Sequence, residues 1–150
     1  MRLANILSAT CRNRLGSRVT VSAAQSPASQ LKGTDMKYML LIHTRESDYA
    51  EMSKAEGEQR TGAYMAYAQA MQKAGILRGG ERLKPVSTAS TVRVSNGKTQ
   101  VLDGPYAETK EQLGGYFMIE VPDLDQALSW AAKCPGAAHG AIEVRPIWEM

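Results

Sequence analysis

The chain has 150 residues, of which 43% are hydrophobic and 22% are charged, a composition that supports one folded domain. Its two cysteines exclude a disulfide framework and a four-cysteine zinc site, and no apolar run reaches the roughly 20 residues that span a bilayer. The net charge of +3 is unevenly distributed: residues 1–35 hold four Arg and one Lys against Asp35, whereas residues 36–150 hold thirteen basic and fourteen acidic residues. Without a basic excess in its folded part, the protein is not expected to bind nucleic acid.

Residues 1–35 are predicted to be a disordered, basic N-terminal extension. They are rich in Ser, Ala and Arg, and they lack a hydrophobic period. Two interpretations stay open: an organellar transit peptide, or a flexible extension ahead of a natural start at Met36. The expected location is cytoplasmic, with import into an organelle as the alternative.

The first half of the folded part predicts a strand, a helix and a second strand. Residues 38–42 form an apolar run typical of a central strand buried on both faces, and a polar loop follows over 44–52. Ser53 and Glu56 form a capping-box pattern that begins a helix, and Gly75 is placed to end it. Five residues of this helix share one face at helical spacing: Ala63, Tyr67, Ala70, Met71 and Ala74.

The second half predicts a hairpin, a strand, a helix and a last strand. A strand over 76–83 is followed by strands over 91–94 and 100–102, which the pair Asn96–Gly97 joins as a hairpin. A loop over 103–115 leads to a strand over 116–121. Asp123 with Gln126 then begins a second helix, which ends before Cys134–Pro135, and a strand over 141–148 closes the chain. The apolar face of this helix is predicted to be Leu124, Ala127, Leu128 and Ala131.

This order of elements predicts an α+β fold, a ferredoxin-like sandwich. Two β-α-β halves with an inserted hairpin place both helices on one face of an antiparallel sheet. The other face would be bare, and the usual solution is that two such sheets pack together. We therefore expect a homodimer.

The segment 103–116, with the sequence DGPYAETKEQLGGY, closely resembles the hallmark of the DGPF family, a branch of the YCII-related proteins. Matches over 36–42, 79–81, 91–94, 130–135 and 142–146 extend the resemblance to 36–150, with Tyr106 where the family name has Phe. The resemblance implies a dimeric α+β barrel. It also brings two functional associations: a role beside sigma factors, and a dehydrochlorinase among relatives.

The resemblance further implies a His–Asp pair as catalytic machinery, with the histidine on the first helix. That helix carries Tyr64 and Tyr67 and no histidine in this chain. Asp103, at a strand end before a Gly-Pro turn, is the candidate acid, and its alternative role is to form the turn. His139 is the candidate partner, ahead of His43, because strand ends often line clefts.

Four further residues are candidates for substrate binding: Tyr106, Lys110, Glu81 and Arg93. Lys110 with Glu111 equally fits a solvated surface pair, Glu81 a charge at a strand edge, and Arg93 an outward arginine that discourages edge pairing. No pattern indicates a metal or cofactor site.

Two functions follow as hypotheses. The first is a protein that binds a small molecule in a cleft near the DGPY loop, with an accessory role in sigma-factor regulation. The alternative is a small-molecule enzyme of isomerase, dehydratase or dehydrochlorinase type that uses Asp103 for proton transfer.

Overall fold

The elements follow the order that the sequence predicts, except that a short helix forms within the predicted loop 44–52. The computed structural model describes residues 35–148, so the extension predicted for 1–35 lies outside the described residues except for Asp35. The strands are β1 (Met36–Thr44), β2 (Leu77–Arg82), β3 (Ser90–Ser95), β4 (Lys98–Asp103), β5 (Gln112–Val121) and β6 (Gly140–Pro146). The helices are α1 (Ser47–Ala50), α2 (Lys54–Lys73) and α3 (Leu124–Ala132), and 3-10 turns span Val86–Thr88 and Pro135–Ala138. The α+β class is confirmed, and no helix of the described part is long and apolar enough to cross a membrane.

Four strands form one antiparallel sheet in the order β2-β5-β1-β6. The central position predicted for β1 is correct. Tyr38, Leu40 and Ile42 are buried on one face of this strand, whereas the residues between them are only half-buried. Burial on both faces was therefore wrong for the single chain, because helices cover only one side of the sheet.

The core lies between that covered face and the helices α2 and α3. Tyr67 and Met71 of α2 and Ala127 and Ala131 of α3 are buried there. The face of α2 is rotated from the predicted one, since Ala63, Ala70 and Ala74 are exposed and Tyr64 is half-buried instead. Large side chains bury more apolar area than alanine does, and they set the rotation of the helix. The arrangement in α3 is the reverse, since Leu124 and Leu128 remain 48% exposed while Ala127 and Ala131 are buried.

The predicted helix ends are confirmed in atomic detail. The Ser53 hydroxyl accepts from the Glu56 N–H at 3.3 Å, and the Glu56 carboxylate accepts from the Ser53 N–H at 2.8 Å, which completes the capping box. Gly75 adopts a φ of 74°, and the Ile76 N–H donates to the Met71 carbonyl at 3.1 Å, the pattern of a left-handed helix end.

Strands β3 and β4 form a separate hairpin outside the four-stranded sheet. Asn96 and Gly97 have φ values of 51° and 73°, so the predicted two-residue turn is confirmed. The loop after β4 is shorter than predicted. Gly114 and Gly115 belong to β5, because a residue without a side chain lets neighbouring strands approach closely there.

Candidate functional site

A cavity of about 300 Å³ lies between α2 and the adjoining ends of β2 and β5, and we call it the α2 cavity. Its volume is at the lower end of the range for ligand pockets, roughly 300–1,000 Å³. The apolar part of the lining is Ile42, Met52, Met65, Ala68 and Phe117. The polar and aromatic part is Tyr49, Arg60, Thr61, Tyr64 and Arg82, while Glu81 and Tyr116 adjoin the cavity but direct their side chains to the other face of the sheet.

Helix α2 supplies one wall of the cavity and is fixed in place by Tyr67. The Tyr67 hydroxyl donates to the Trp130 carbonyl at 2.8 Å, and its ring meets Phe117 edge-on with centroids 5.4 Å apart. Arg60, Tyr64 and Ala68 follow each other at intervals of four residues, so they lie on one face of the helix. That face lies along the cavity.

Glycines of β2 and β5 form the opposite wall. A Cβ atom on Gly80 would lie 2.9 Å from the Tyr116 carbonyl oxygen, and one on Gly115 would lie 2.7 Å from the Glu81 carbonyl oxygen. Both contacts are too short for any larger residue. The sheet therefore presents bare backbone below α2, which leaves room for a cavity.

Two arginines contact the ring of Tyr49 beside the cavity. The guanidinium carbon of Arg60 lies 4.6 Å from the ring centroid, and that of Arg82 lies 5.1 Å from it. These are cation–π distances. Neither arginine has a carboxylate partner among the residues that the structure describes. The cavity is therefore electropositive, because Glu81, the one acidic residue in its described lining, stands opposite Tyr116 and directs its side chain to the other face of the sheet.

Two side chains of the lining each carry a polar atom that is buried without a hydrogen bond of acceptable geometry. These atoms are Nη1 of Arg60 and the hydroxyl oxygen of Tyr64, and neither has such a partner in residues 35–148. Buried polar groups are nearly always paired, because an unpaired one loses its water without compensation. Two such atoms in one cavity, one turn apart on the same helix, call for a functional explanation.

The Tyr64 hydroxyl keeps its proton at neutral pH. Burial raises its pKa above the ordinary tyrosine value, Cys134 and Tyr49 act in the same direction, and Arg60 partly opposes them. Burial likewise raises the pKa of the Cys134 thiol. Tyr64 therefore offers the cavity a neutral O–H donor rather than a base.

A second hollow of about 500 Å³ adjoins the α2 cavity and shares Tyr49, Arg82 and Gly114 with it. Gln112 lies in its lining and directly follows the loop 104–111. The Gln112 side-chain amide donates to the Thr109 carbonyl at 2.8 Å. This bond connects the loop 104–111, which we call the DGPY loop, to the rim of the second hollow.

Comparison with known proteins identifies the family. A model of the YCII-related domain matches residues 36–150. The chain belongs to the YCII-related domain family. An uncharacterized protein of Rhizobium meliloti (strain 1021) is 40% identical over 114 residues, which cover 75% of this chain and 92% of that protein. The resemblance drawn from the sequence is thus confirmed at the level of the YCII-related family.

The structure of this YCII-related domain does not bring the two candidate catalytic residues into contact. Asp103 ends β4 and His139 follows the 3-10 turn at Pro135–Ala138, and both are exposed. No hydrogen bond or ion pair joins them within the described range. His43 lies on the helix-free face of the sheet, where its Nε2 is 3.4 Å from a Glu143 carboxylate oxygen. Residues 35–148 contain no group of three or more His, Cys, Asp or Glu side chains that could hold a metal ion.

The four candidate binding residues fall into two places. The Arg93 guanidinium lies 5.4 Å from the ring centroid of Tyr106, which is itself 80% exposed, and Lys110 is exposed on the same loop as Tyr106. Glu81 is the one of the four that adjoins the α2 cavity, but it stands opposite Tyr116, so its side chain lies on the helix-free face of the sheet. Their role in binding remains a prediction.

Sequence reasoning missed Tyr49, Arg60 and Arg82. Arg60 could have been identified from the sequence. It lies four residues before Tyr64, so it places a charge on a face of α2 that otherwise carries large side chains. Tyr49 and Arg82 carried no such signal, since one lies in a polar segment after β1 and the other at the end of β2.

The two tyrosine hydroxyls of α2 should contribute differently to the free energy of unfolding. Tyr67→Phe should lower the free energy of unfolding by about 1 kcal/mol, because the hydrogen bond from its hydroxyl to the Trp130 carbonyl is lost. Tyr64→Phe should lower it by less, because that hydroxyl makes no hydrogen bond of acceptable geometry within the described part of the chain. Urea unfolding followed by circular dichroism measures both values. Equal losses in the two variants would show that the Tyr64 hydroxyl has a structural partner.

Proposed function

We propose that this YCII-related protein binds a small molecule in the α2 cavity. The observation that carries the proposal is an apolar cavity whose lining holds two buried, unpartnered polar atoms, on Arg60 and Tyr64. Ligand sites combine these two features, because the apolar surface supplies affinity and a few polar groups fix orientation. The family resemblance supports the same place, since it implies a functional side chain on the first helix, where this chain has Tyr64.

The DGPY loop fits this proposal as a neighbour of the site. Gln112 connects the loop to the second hollow, and Arg82 and Tyr49 connect that hollow to the α2 cavity. A ligand that reaches both hollows would contact the end of the loop. An accessory role in sigma-factor regulation would use the same binding event, with the loop reporting whether the cavity is filled.

An enzyme that uses Asp103 for proton transfer is the alternative proposal, and binding without turnover is favoured over it. Proton transfer near neutral pH needs a group that titrates there. Tyr64 keeps its proton, and Asp103 lies on the hairpin, outside the lining of the cavity. Under the enzyme proposal, a second copy of the chain would have to bring Asp103 to the cavity.

We further propose that two copies pair through the helix-free face of the four-stranded sheet, which we call the open face. Met39 lies opposite Met118 and Leu41 lies opposite Tyr116 on this face, and all four are half-buried in a single chain. A second copy would cover this apolar centre by a two-fold, self-complementary contact. The result would be the dimeric α+β barrel that the family resemblance implies.

Filling the α2 cavity should abolish ligand binding. Ala68 lines the cavity, so Ala68→Trp should occupy the ligand's space, whereas Ala66→Trp places the same ring on the exposed side of α2. Native mass spectrometry of the full chain, incubated with a defined mixture of aromatic and aliphatic metabolites, reports the added mass. The wild type and Ala66→Trp should carry added mass and Ala68→Trp should not.

Two results would contradict the binding proposal. One is a wild type that retains none of the compounds, and the other is an Ala68→Trp protein that retains the same compounds as the wild type. Melting temperatures of both tryptophan variants serve as the control for folding.

A charge at the centre of the open face should separate the two copies. Met118→Lys should raise the dimer dissociation constant by at least about tenfold, because pairing would bury two uncompensated charges. Leu128→Lys, on the outer side of α3, is the matched control and should leave the constant unchanged. Light scattering after size-exclusion chromatography measures the molar mass. A wild type that is monomeric at micromolar concentration would refute the dimer.

A further inference from the structure

We propose that the ligand of the α2 cavity is a small organic carboxylate, with its carboxylate on Arg60 and Tyr64 and its apolar body inside the cavity. The inference rests on the proposed binding function and adds the chemical class of the ligand. It comes from the two unpartnered polar atoms and from the charges around them.

The Arg60 guanidinium requires an anionic acceptor. Arginine stays protonated at all physiological pH values and offers five N–H donors and no acceptor. In the described chain Nη1 of Arg60 is buried, has no acceptor, and no carboxylate pairs with the side chain. A carboxylate suits such a group best, because its two oxygens match the planar fork of the guanidinium.

The Tyr64 hydroxyl supplies a second donor to the same acceptor. It lies one helical turn after Arg60, so the two side chains leave α2 on the same face. The positive charge of Arg60 acts to lower the pKa of Tyr64, the direction expected of a nearby cation. The Tyr64 hydroxyl can donate to a carboxylate oxygen, and its oxygen can also accept from a donor, but the permanently charged guanidinium beside it disfavours a cation. The pair therefore favours an anion.

The rest of the lining selects the body of the ligand. Ile42, Ala68 and Phe117 present apolar surface, and Arg82 adds a second positive charge on the helix side of the sheet. A cationic ligand is disfavoured by these charges, and an inorganic anion would leave the apolar surface unused. An acid with a ring or a short alkyl chain satisfies both parts.

Isothermal titration of the full chain with matched compounds tests this assignment. The panel is benzoate, phenylacetate and hexanoate, each paired with the neutral alcohol of the same skeleton, together with inorganic phosphate. At least one carboxylate should bind about tenfold or more tightly than its alcohol, since charged hydrogen bonds in a buried site give differences of this size. Phosphate should bind more weakly than that carboxylate.

Three variants of α2 locate the carboxylate. Arg60→Gln should weaken binding of the preferred carboxylate about tenfold or more, and Tyr64→Phe by about threefold to tenfold, with the alcohol unaffected in each case. Lys54→Gln removes one charge from an exposed position on the same helix and should change the dissociation constant by less than about twofold. Arg60→Lys keeps the charge and loses the fork, so its affinity should fall between those of the wild type and Arg60→Gln.

The outcomes separate this inference from the binding proposal. Equal affinity for acid and alcohol, or an Arg60→Gln protein that binds like the wild type, would overturn the carboxylate assignment and leave the cavity as a site for neutral ligands. Phosphate binding as tight as that of every acid would replace it with an inorganic anion site. A further outcome is that no carboxylate binds, while Ala66→Trp retains other metabolites and Ala68→Trp does not. The assigned ligand class would then be wrong, and the α2 cavity would remain the binding site. If neither measurement detects a ligand, both proposals fail.

Discussion

The packing of α2 on the sheet is the contact on which the candidate site depends. Tyr67 fixes the helix through its bond to the Trp130 carbonyl and its edge-on contact with Phe117, and Met71 is fully buried one turn later. Because these anchors lie in the second half of the helix, the first half projects over the glycine-rich ends of β2 and β5. The α2 cavity exists because glycines of the sheet have no side chains to fill the space below this part of the helix.

Helix ends, the hairpin turn and the order of the strands could be predicted from the sequence, because each depends on local chemistry. Ser53 with Glu56, Gly75 and Asn96–Gly97 act within a few residues of themselves. The rotation of α2 could not be predicted in this way. Alanines and tyrosines fit the same helical period, and only the packed sheet decides which of them it covers. The predicted buried face of α2 therefore included Ala63, which is exposed, and left out Tyr64, which is half-buried.

The candidate site was harder to predict than the fold because it is assembled from distant segments by packing. Tyr49, Arg60 and Arg82 belong to three different elements and meet around one ring. Asp103 and Tyr106 stand out in the sequence because they belong to a recognisable motif, and the structure places them on an exposed hairpin and its following loop. A motif marks the family, whereas the unpartnered groups of Arg60 and Tyr64 mark the cavity that needs a ligand.

A crystal structure of the full chain grown with its preferred carboxylate tests the central claim most directly. The account predicts a carboxylate whose oxygens lie within hydrogen-bond distance of Arg60 Nη1 and the Tyr64 hydroxyl, with the apolar body against Ala68 and Phe117. An empty α2 cavity, with Arg60 and Tyr64 bonded to other atoms of the protein, would contradict it.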